Sequence, residues 1–283
     1  SAASDVYKRQ VMPSGEREGT FTHPDITTMQ EAYRLKDKNA QVKVMNVMFD
    51  NVNLLDMHQN ILKYMHSETK HNLFIVTANP EIVHYASENP KYHKMIEQAD
   101  YIVPDGTGIV KAARILGQPL QERVPGIEVM ETCLNIADLE HKKVFLLGAT
   151  SPVVEKAARR IQRQFPNIEI QTHHGFIDIT DQEVIEQVRQ FNPDFIFVGM
   201  GYPKQEQWIQ HNRHHFDHTL MMGIGGAIDV FSGEVKRAPY VWRALNLEWA
   251  YRCLTDMKRI RRLQRIPKFV VGVYKQKYFD QSK

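Results

Sequence analysis

Two short stretches carry residues suited to chemistry: Thr77-Ala78-Asn79-Pro80-Glu81 and Pro104-Asp105-Gly106-Thr107-Gly108. Each follows an apolar run, Phe74-Ile75-Val76 or Tyr101-Ile102-Val103, that reads as a buried strand. Each also opens a helix, with Pro80 at a first helical position. Polar side chains therefore stand at two consecutive strand ends, the place where α/β sheets bind ligands. Asp105, on a tight Pro-Asp-Gly turn, could take a proton from a hydroxyl. The plainer reading makes it a turn residue. Asn79 could likewise bond a ligand or simply cap its helix.

Three further strand ends carry glycine: Gly148, Gly199 with Gly201, and Gly223 with Gly225 and Gly226. Such turns let backbone approach a phosphate and aim helix N–H groups at it. One alone could be a plain βα turn, but three together point to a nucleotide ligand. Neither a full dinucleotide fingerprint nor a phosphate-loop lysine motif is present. No Asp-x-Asp occurs either, so a bound phosphate group would be met by arginines, lysines and helix ends rather than a metal. Arg237, after the glycine-rich 225–233 turn, reads equally well as such a contact or as a surface ion pair. His211, His214, His215 and His218 have helix-face spacing, but no cysteine or carboxylate set accompanies them. They read as an exposed His-rich helix end, and His173-His174 receive no role.

Elements that could hold these tips alternate along the chain. Strands are expected over 42–49, 74–78, 101–103, 144–148, 168–170, 195–198 and 220–224. Helices are expected over 53–66, 81–88, 107–116, 152–164, 181–191 and 204–213. This order predicts an α/β fold: a Rossmann-like, mainly parallel sheet with helices on both faces.

The 283 residues, 42% of them hydrophobic, suffice for a substantial core. Cys133 and Cys253 are the only cysteines, which argues against a disulfide framework and for the cytosol. No stretch is apolar for the roughly 18 residues that span a bilayer. Residues 1–40 are polar, without a secretory signal, and 1–10 look foreign or truncated. The expected division is a disordered or foreign segment over 1–40, a catalytic domain over 41–245 and a C-terminal amphipathic appendage over 246–283. From Tyr251 onward ten Lys/Arg face only Asp256 and Asp280, a net of +8, so the remaining residues carry −5.

Several ordered segments match one family. They are Thr77-Ala78-Asn79-Pro80-Glu81, Pro104-Asp105-Gly106-Thr107-Gly108, Glu122-Arg123-Val124-Pro125-Gly126 and Val144-Phe145-Leu146-Leu147-Gly148-Ala149. Then follow Gly199-Met200-Gly201-Tyr202-Pro203-Lys204-Gln205-Glu206, Gly225-Gly226-Ala227-Ile228-Asp229, Lys236-Arg237-Ala238-Pro239 and Glu248-Trp249-Ala250-Tyr251-Arg252. Over about 42–265 the chain resembles the WecG/TagA/CpsF glycosyltransferases, most of all their wall teichoic acid branch. The resemblance implies an inverting transfer, without cofactor or metal. N-acetylmannosamine would pass from its UDP donor to undecaprenyl-diphosphate-linked N-acetylglucosamine in a β-1,4 linkage, within linkage-unit synthesis. It implies catalytic roles for Asp105 as base, Thr77, Asn79 and Arg123. Substrate binding would fall to Gln205, Gly148, Gly199, Gly201, Gly225, Gly226 and Arg237. The family's C-terminal pattern fits Glu248, Trp249, Tyr251, Arg252, Arg259 and Arg262, with Met257 where proline is usual. Arg252, Arg259 and Arg262 would meet the lipid diphosphate or headgroups.

The tail interleaves Leu254, Met257, Ile260, Leu263, Ile266, Phe269, Val270 and Tyr274 with arginines and lysines, a pattern for an anionic membrane surface. The expected location is peripheral, on the inner face of the plasma membrane. A homo-oligomer is compatible with the sequence. The rival readings are a different UDP-sugar donor such as N-acetylmannosaminuronic acid, a non-catalytic nucleotide-binding module, and a nucleic-acid binder. The last lacks any accompanying motif.

Overall fold

The computed structural model describes residues 41–235, 242 and 265–279. The expected segment 1–40, the 245/246 boundary, and Arg237, Arg252, Arg259 and Arg262 lie outside the described residues.

A hairpin comes first, β1 (Gln41–Val44) and β2 (Val47–Asp50), antiparallel with Val44 opposite Val47. The single strand expected over 42–49 is thus two. Met45 turns the chain at φ 54°, a left-handed conformation taken without glycine, so Asn46 is the one turn residue in the Met45-Asn46 connection. There follow α1 (Leu54–Met65), β3 (Leu73–Ala78), α2 (Pro80–Glu88), α3 (Pro90–Ile96), β4 (Tyr101–Pro104) and α4 (Thr107–Ile115). Next come α5 (Gly126–Leu139), β5 (Lys143–Gly148), α6 (Ser151–Gln164), β6 (Glu169–His173) and α7 (Gln182–Phe191). The last are β7 (Phe195–Gly199), α8 (Lys204–Asn212), β8 (Leu220–Gly223), α9 (Ala227–Ser232) and α10 (Arg265–Phe279).

Six strands form one parallel sheet in the order β4-β3-β8-β7-β5-β6. The expected Rossmann-like α/β fold is therefore the observed one. Every residue of β3 is buried, as a central parallel strand covered on both faces requires. The core runs through Phe74, Val76, Phe145, Ile196, Val198, Trp208 and Met221. Helix α5 had no amphipathic signal, because most of its residues are buried and little polar face is left.

The order fixes where a ligand can enter. From β5 the chain passes outward to β6, whereas from β7 it passes the other way to β8. The two connections diverge and leave a crevice at the tips of β5 and β7. A second divergence flanks β3 and β8: α2 and α3 lead outward to β4, while α9 packs on α6.

Helix α10 packs on α2 and α4. Phe269 and Val273 enter the core, and Met45 N–H donates to Gln276 Oε1 at 2.6 Å. Val270, Val271, Tyr274, Tyr278 and Phe279 stay exposed. Among the described residues, no helix is long and apolar enough to cross a membrane.

Candidate active site

The tips of β3 and β4 form one half of the crevice. Ala78 and Pro104 are register partners, and Asp105 N–H donates to Ala78 O at 3.0 Å. Asp105 therefore stands beside Asn79, one residue past the paired ladder. Pro104 O accepts from Val124 N–H at 2.8 Å, which draws the Arg123 segment to the same tip. Arg123 is partly exposed, its guanidinium 3.8 Å from the Glu128 carboxylate. Upstream, Gln121 N–H donates to Asn51 Oδ1 at 2.8 Å, and Glu122 Oε1 accepts from Leu54 N–H at 2.9 Å. This connecting loop is thus fixed at both ends.

Thr77 is 9% exposed, and its side chain lies against Gly126, where a Cβ would sit 2.8 Å from Thr77 Oγ1. Gly108 packs on Pro80 in the same way, at 2.8 Å from its Cγ. Two close approaches thus bring the N-termini of α2, α4 and α5 around Asp105 and Thr77. Asn79 caps α2, its Oδ1 accepting from Glu81 N–H and Ile82 N–H at 2.9 and 3.0 Å. Its NH2 is the part not used by the cap. The first turns of α4 and α5 have no side-chain cap. Helix N-termini carry partial positive charge, so this half can receive an anion beside a carboxylate.

Glycines build the other half. A Cβ on Gly148 would lie 2.5 Å from Gly199 O, and one on Gly199 would lie 3.0 Å from Gly225 O. Gly148, Gly199 and Gly225 thus pack tip against tip. Gly201 and Gly225, at φ 75° and 50°, have nothing within 4 Å of a built Cβ and border open space. Gly226 is the N-cap of α9. The structure brings five of the predicted glycines to one crevice, but for two reasons: close strand packing at 148 and 199, left-handed turns at 201 and 225.

Lys204-Gln205-Glu206, opening α8, links these loops. Lys204 Nζ donates to Ile177 O at 2.5 Å. Gln205 is 4% exposed; its Oε1 accepts from Gly225 N–H at 3.0 Å, and its Nε2 donates to Glu206 Oε1 at 2.6 Å. The predicted substrate residue Gln205 therefore holds the β8 turn through its carboxamide. Glu206, 1% exposed, was not foreseen as a functional residue. Burial pushes its carboxyl up to about 7, against hydrogen bonds that lower it. Its Oε2 and the Tyr92 hydroxyl are both buried and face one another. Tyr202, in the loop before α8, contacts Glu81 Oε2 at 3.3 Å and the Arg265 guanidinium at the start of α10.

The histidines of the α8 end are spread out. The His214 and His215 rings are tilted to one another with centroids 3.9 Å apart, while His218 stacks on Tyr64 at 4.6 Å and bonds Thr69 O at 2.7 Å. Among the described residues no group of three or more His, Cys, Asp or Glu side chains is arranged to hold a metal ion.

The glycosyl transferase WecG/TagA/CpsF family model matches residues 42–283. Proteins of Staphylococcus aureus strains NCTC 8325 / PS 47 and COL are 52% identical over 242 residues, covering 86% of this chain and 95% of theirs. The protein of strain MRSA252 is 51% identical over the same length. All three are named N-acetylglucosaminyldiphosphoundecaprenol N-acetyl-beta-D-mannosaminyltransferase. With this match spanning the parallel sheet, its tip residues and α10, the chain belongs to the WecG/TagA/CpsF glycosyl transferase family.

Proposed function

We infer that this chain is an N-acetyl-β-D-mannosaminyltransferase acting on N-acetylglucosaminyldiphosphoundecaprenol, in teichoic acid linkage-unit synthesis. The observation that carries this is 52% identity over 95% of a relative of that name, in a chain whose Thr77, Asn79, Asp105 and Arg123 meet at adjacent strand tips. The donor is UDP-N-acetylmannosamine. An acceptor hydroxyl oxygen attacks the anomeric carbon, the bond from that carbon to the UDP oxygen breaks, and configuration inverts. Asp105 takes the hydroxyl proton. Charge developing on the departing diphosphate falls on Arg123 and the N-termini of α4 and α5. The Asn79 NH2 and Thr77 orient the sugar. Gly201, Gly225 and Gly226 let the diphosphate approach backbone across the second half of the crevice. No metal enters this scheme.

The acceptor is a lipid, so the site works at a membrane surface. Helix α10 supports this reading, with Val270, Val271, Tyr274, Tyr278 and Phe279 exposed among Lys268, Lys275 and Lys277. The protein is peripheral, on the inner face of the plasma membrane.

The test is turnover of UDP-N-acetylmannosamine with the lipid-diphosphate acceptor in EDTA. The parent should transfer, and Asp105→Asn should lose about 100- to 10,000-fold with its fold intact. Asp105→Asn within about threefold of the parent removes Asp105 as base. Loss of parental transfer in EDTA, restored by magnesium, removes the metal-free scheme. A parent that binds UDP without any turnover would be a nucleotide-binding module.

A further inference from the structure

A buried carboxylate needs a reason, because burying it costs free energy unless its partners repay the lost hydration. Glu206 sits in the first turn of α8, 1% exposed, outside every role assigned above. Its Oε1 accepts from Gln205 Nε2 at 2.6 Å, and the same carboxamide accepts from Gly225 N–H at 3.0 Å. A carboxamide can rotate by half a turn with little change in shape, exchanging its donor and acceptor ends. Oε1 accepts whether the group is a carboxylate or a carboxyl with its proton on Oε2, beside Tyr92, so Glu206 turns the NH2 of Gln205 toward itself. The carbonyl oxygen is then left facing Gly225.

The surroundings are built for this pair. A Cβ on Gly223 would lie 2.5 Å from Gln205 Nε2 and 3.0 Å from Glu206 Oε1, so β8 yields its space to the two side chains. Beyond them, Gly225 O lies against Gly199, at the centre of the glycine half of the crevice.

We propose that Glu206 is a positioning residue: its acceptor oxygen sets the orientation of the Gln205 carboxamide and thereby fixes the Gly225 peptide that borders the donor's nucleotide. The proposal rests on the UDP-sugar reading of the crevice. Any residue that accepts at the Oε1 position can serve, so glutamine should replace glutamate and leucine should not. In Glu206→Gln the carbonyl takes the Oε1 place and the new NH2 faces the Tyr92 hydroxyl.

Steady-state transfer would be measured for the parent, Glu206→Gln and Glu206→Leu, with hydrogen exchange at the Gly225 amide. We expect Glu206→Gln within threefold of the parent in both constants. Glu206→Leu should raise the donor KM at least tenfold with kcat within threefold, and speed Gly225 exchange at least tenfold. Parental KM in Glu206→Leu overturns the proposal, as does a Glu206→Gln impaired as badly as Glu206→Leu. Should Glu206→Leu fail to fold, Gln205→Met must show the same rise in KM, since it keeps length but loses both contacts. UDP titrated into the parent tests the donor reading alone. If the parent takes up no UDP, that reading fails, while Gly225 exchange still decides whether Glu206 positions the turn.

Discussion

Gly148→Ala is the sharpest test of the glycine half of the crevice. Gly148 has φ 156°, and an added Cβ would lie 2.5 Å from Gly199 O and 2.7 Å from Ile228 Cδ1. The Ile228 methyl can turn away, but Gly199 O is backbone in the next strand of the sheet and cannot. Overpacking of this kind costs about 1–3 kcal/mol. The backbone conformation, sparse for any residue with a Cβ, adds of order 1–3 kcal/mol. The sum is about 2–6 kcal/mol, and at roughly 2–4 °C per kcal/mol for a domain of this size Tm should fall by about 4–24 °C. The control is Gly117→Ala: φ is 80°, yet nothing lies within 4 Å of the added atom. It meets only the backbone term, about 1–2 kcal/mol, partly offset by lower entropy of the unfolded chain. Thermal and urea unfolding of both variants would be compared. A Gly148→Ala no less stable than Gly117→Ala would refute the close packing of β5 against β7 at their tips.

Glu206→Gln should also change how stability depends on pH. The parent carboxyl is raised from 4.5 to about 7, so its contribution is full below 4.5 and lost as pH climbs through about 7, a difference of about 3 kcal/mol. The Gln variant should therefore gain on the parent between pH 5 and pH 8, and a gap that does not move with pH would show that Glu206 is not held in this way. Val271→Asp with Phe279→Asp changes only exposed positions of α10, so folding should survive while binding to anionic vesicles falls at least tenfold, from lost apolar contact and added repulsion. Equal sedimentation with vesicles would sink the membrane reading of α10.

The half of the site on β3 and β4 is legible in the sequence because each tip is local. An apolar triplet ends, a polar residue follows, and a proline or glycine starts the next helix. Thr77, Asn79 and Asp105 all obey that grammar. The roles of Gln205 and Glu206 are not legible, for a physical reason. Lys204-Gln205-Glu206-Gln207 is a polar run, which by itself reads as a solvent-facing first turn. Gln205 and Glu206 are buried only because the β8 turn and α3 close over them, and Gly225 lies 20 residues away from Gln205. The Met45 turn and helix α5 escape for the opposite reason: the first has methionine where a left-handed position favours glycine, the second has little polar face.

The two halves of the crevice differ in what holds them, and this bears on how the enzyme can vary. Around Asp105 the frame is backbone: ladder pairs, Asp105 N–H on Ala78 O, Val124 N–H on Pro104 O. Side chains add to it at the edges: Asn79 caps α2, and Asn51 and Glu122 brace the loop upstream of Arg123. Around Gly225 the frame is side chain, with Lys204 and Gln205 reaching to carbonyls and amides of distant loops. A change in the α8 first turn should therefore shift the Gly225 turn, the proposed nucleotide floor, without moving Asp105, the proposed base. A change at 104–106 should alter Asp105 without loosening the Gly225 turn. Substitutions in the two sets should then be additive in free energy of activation, since distant sites with no shared partners add within about 0.5 kcal/mol. The combination of Asp105→Asn with Glu206→Leu is the case that decides it. A strongly non-additive pair would mean that the halves are coupled through β3 and β8, which lie side by side between them.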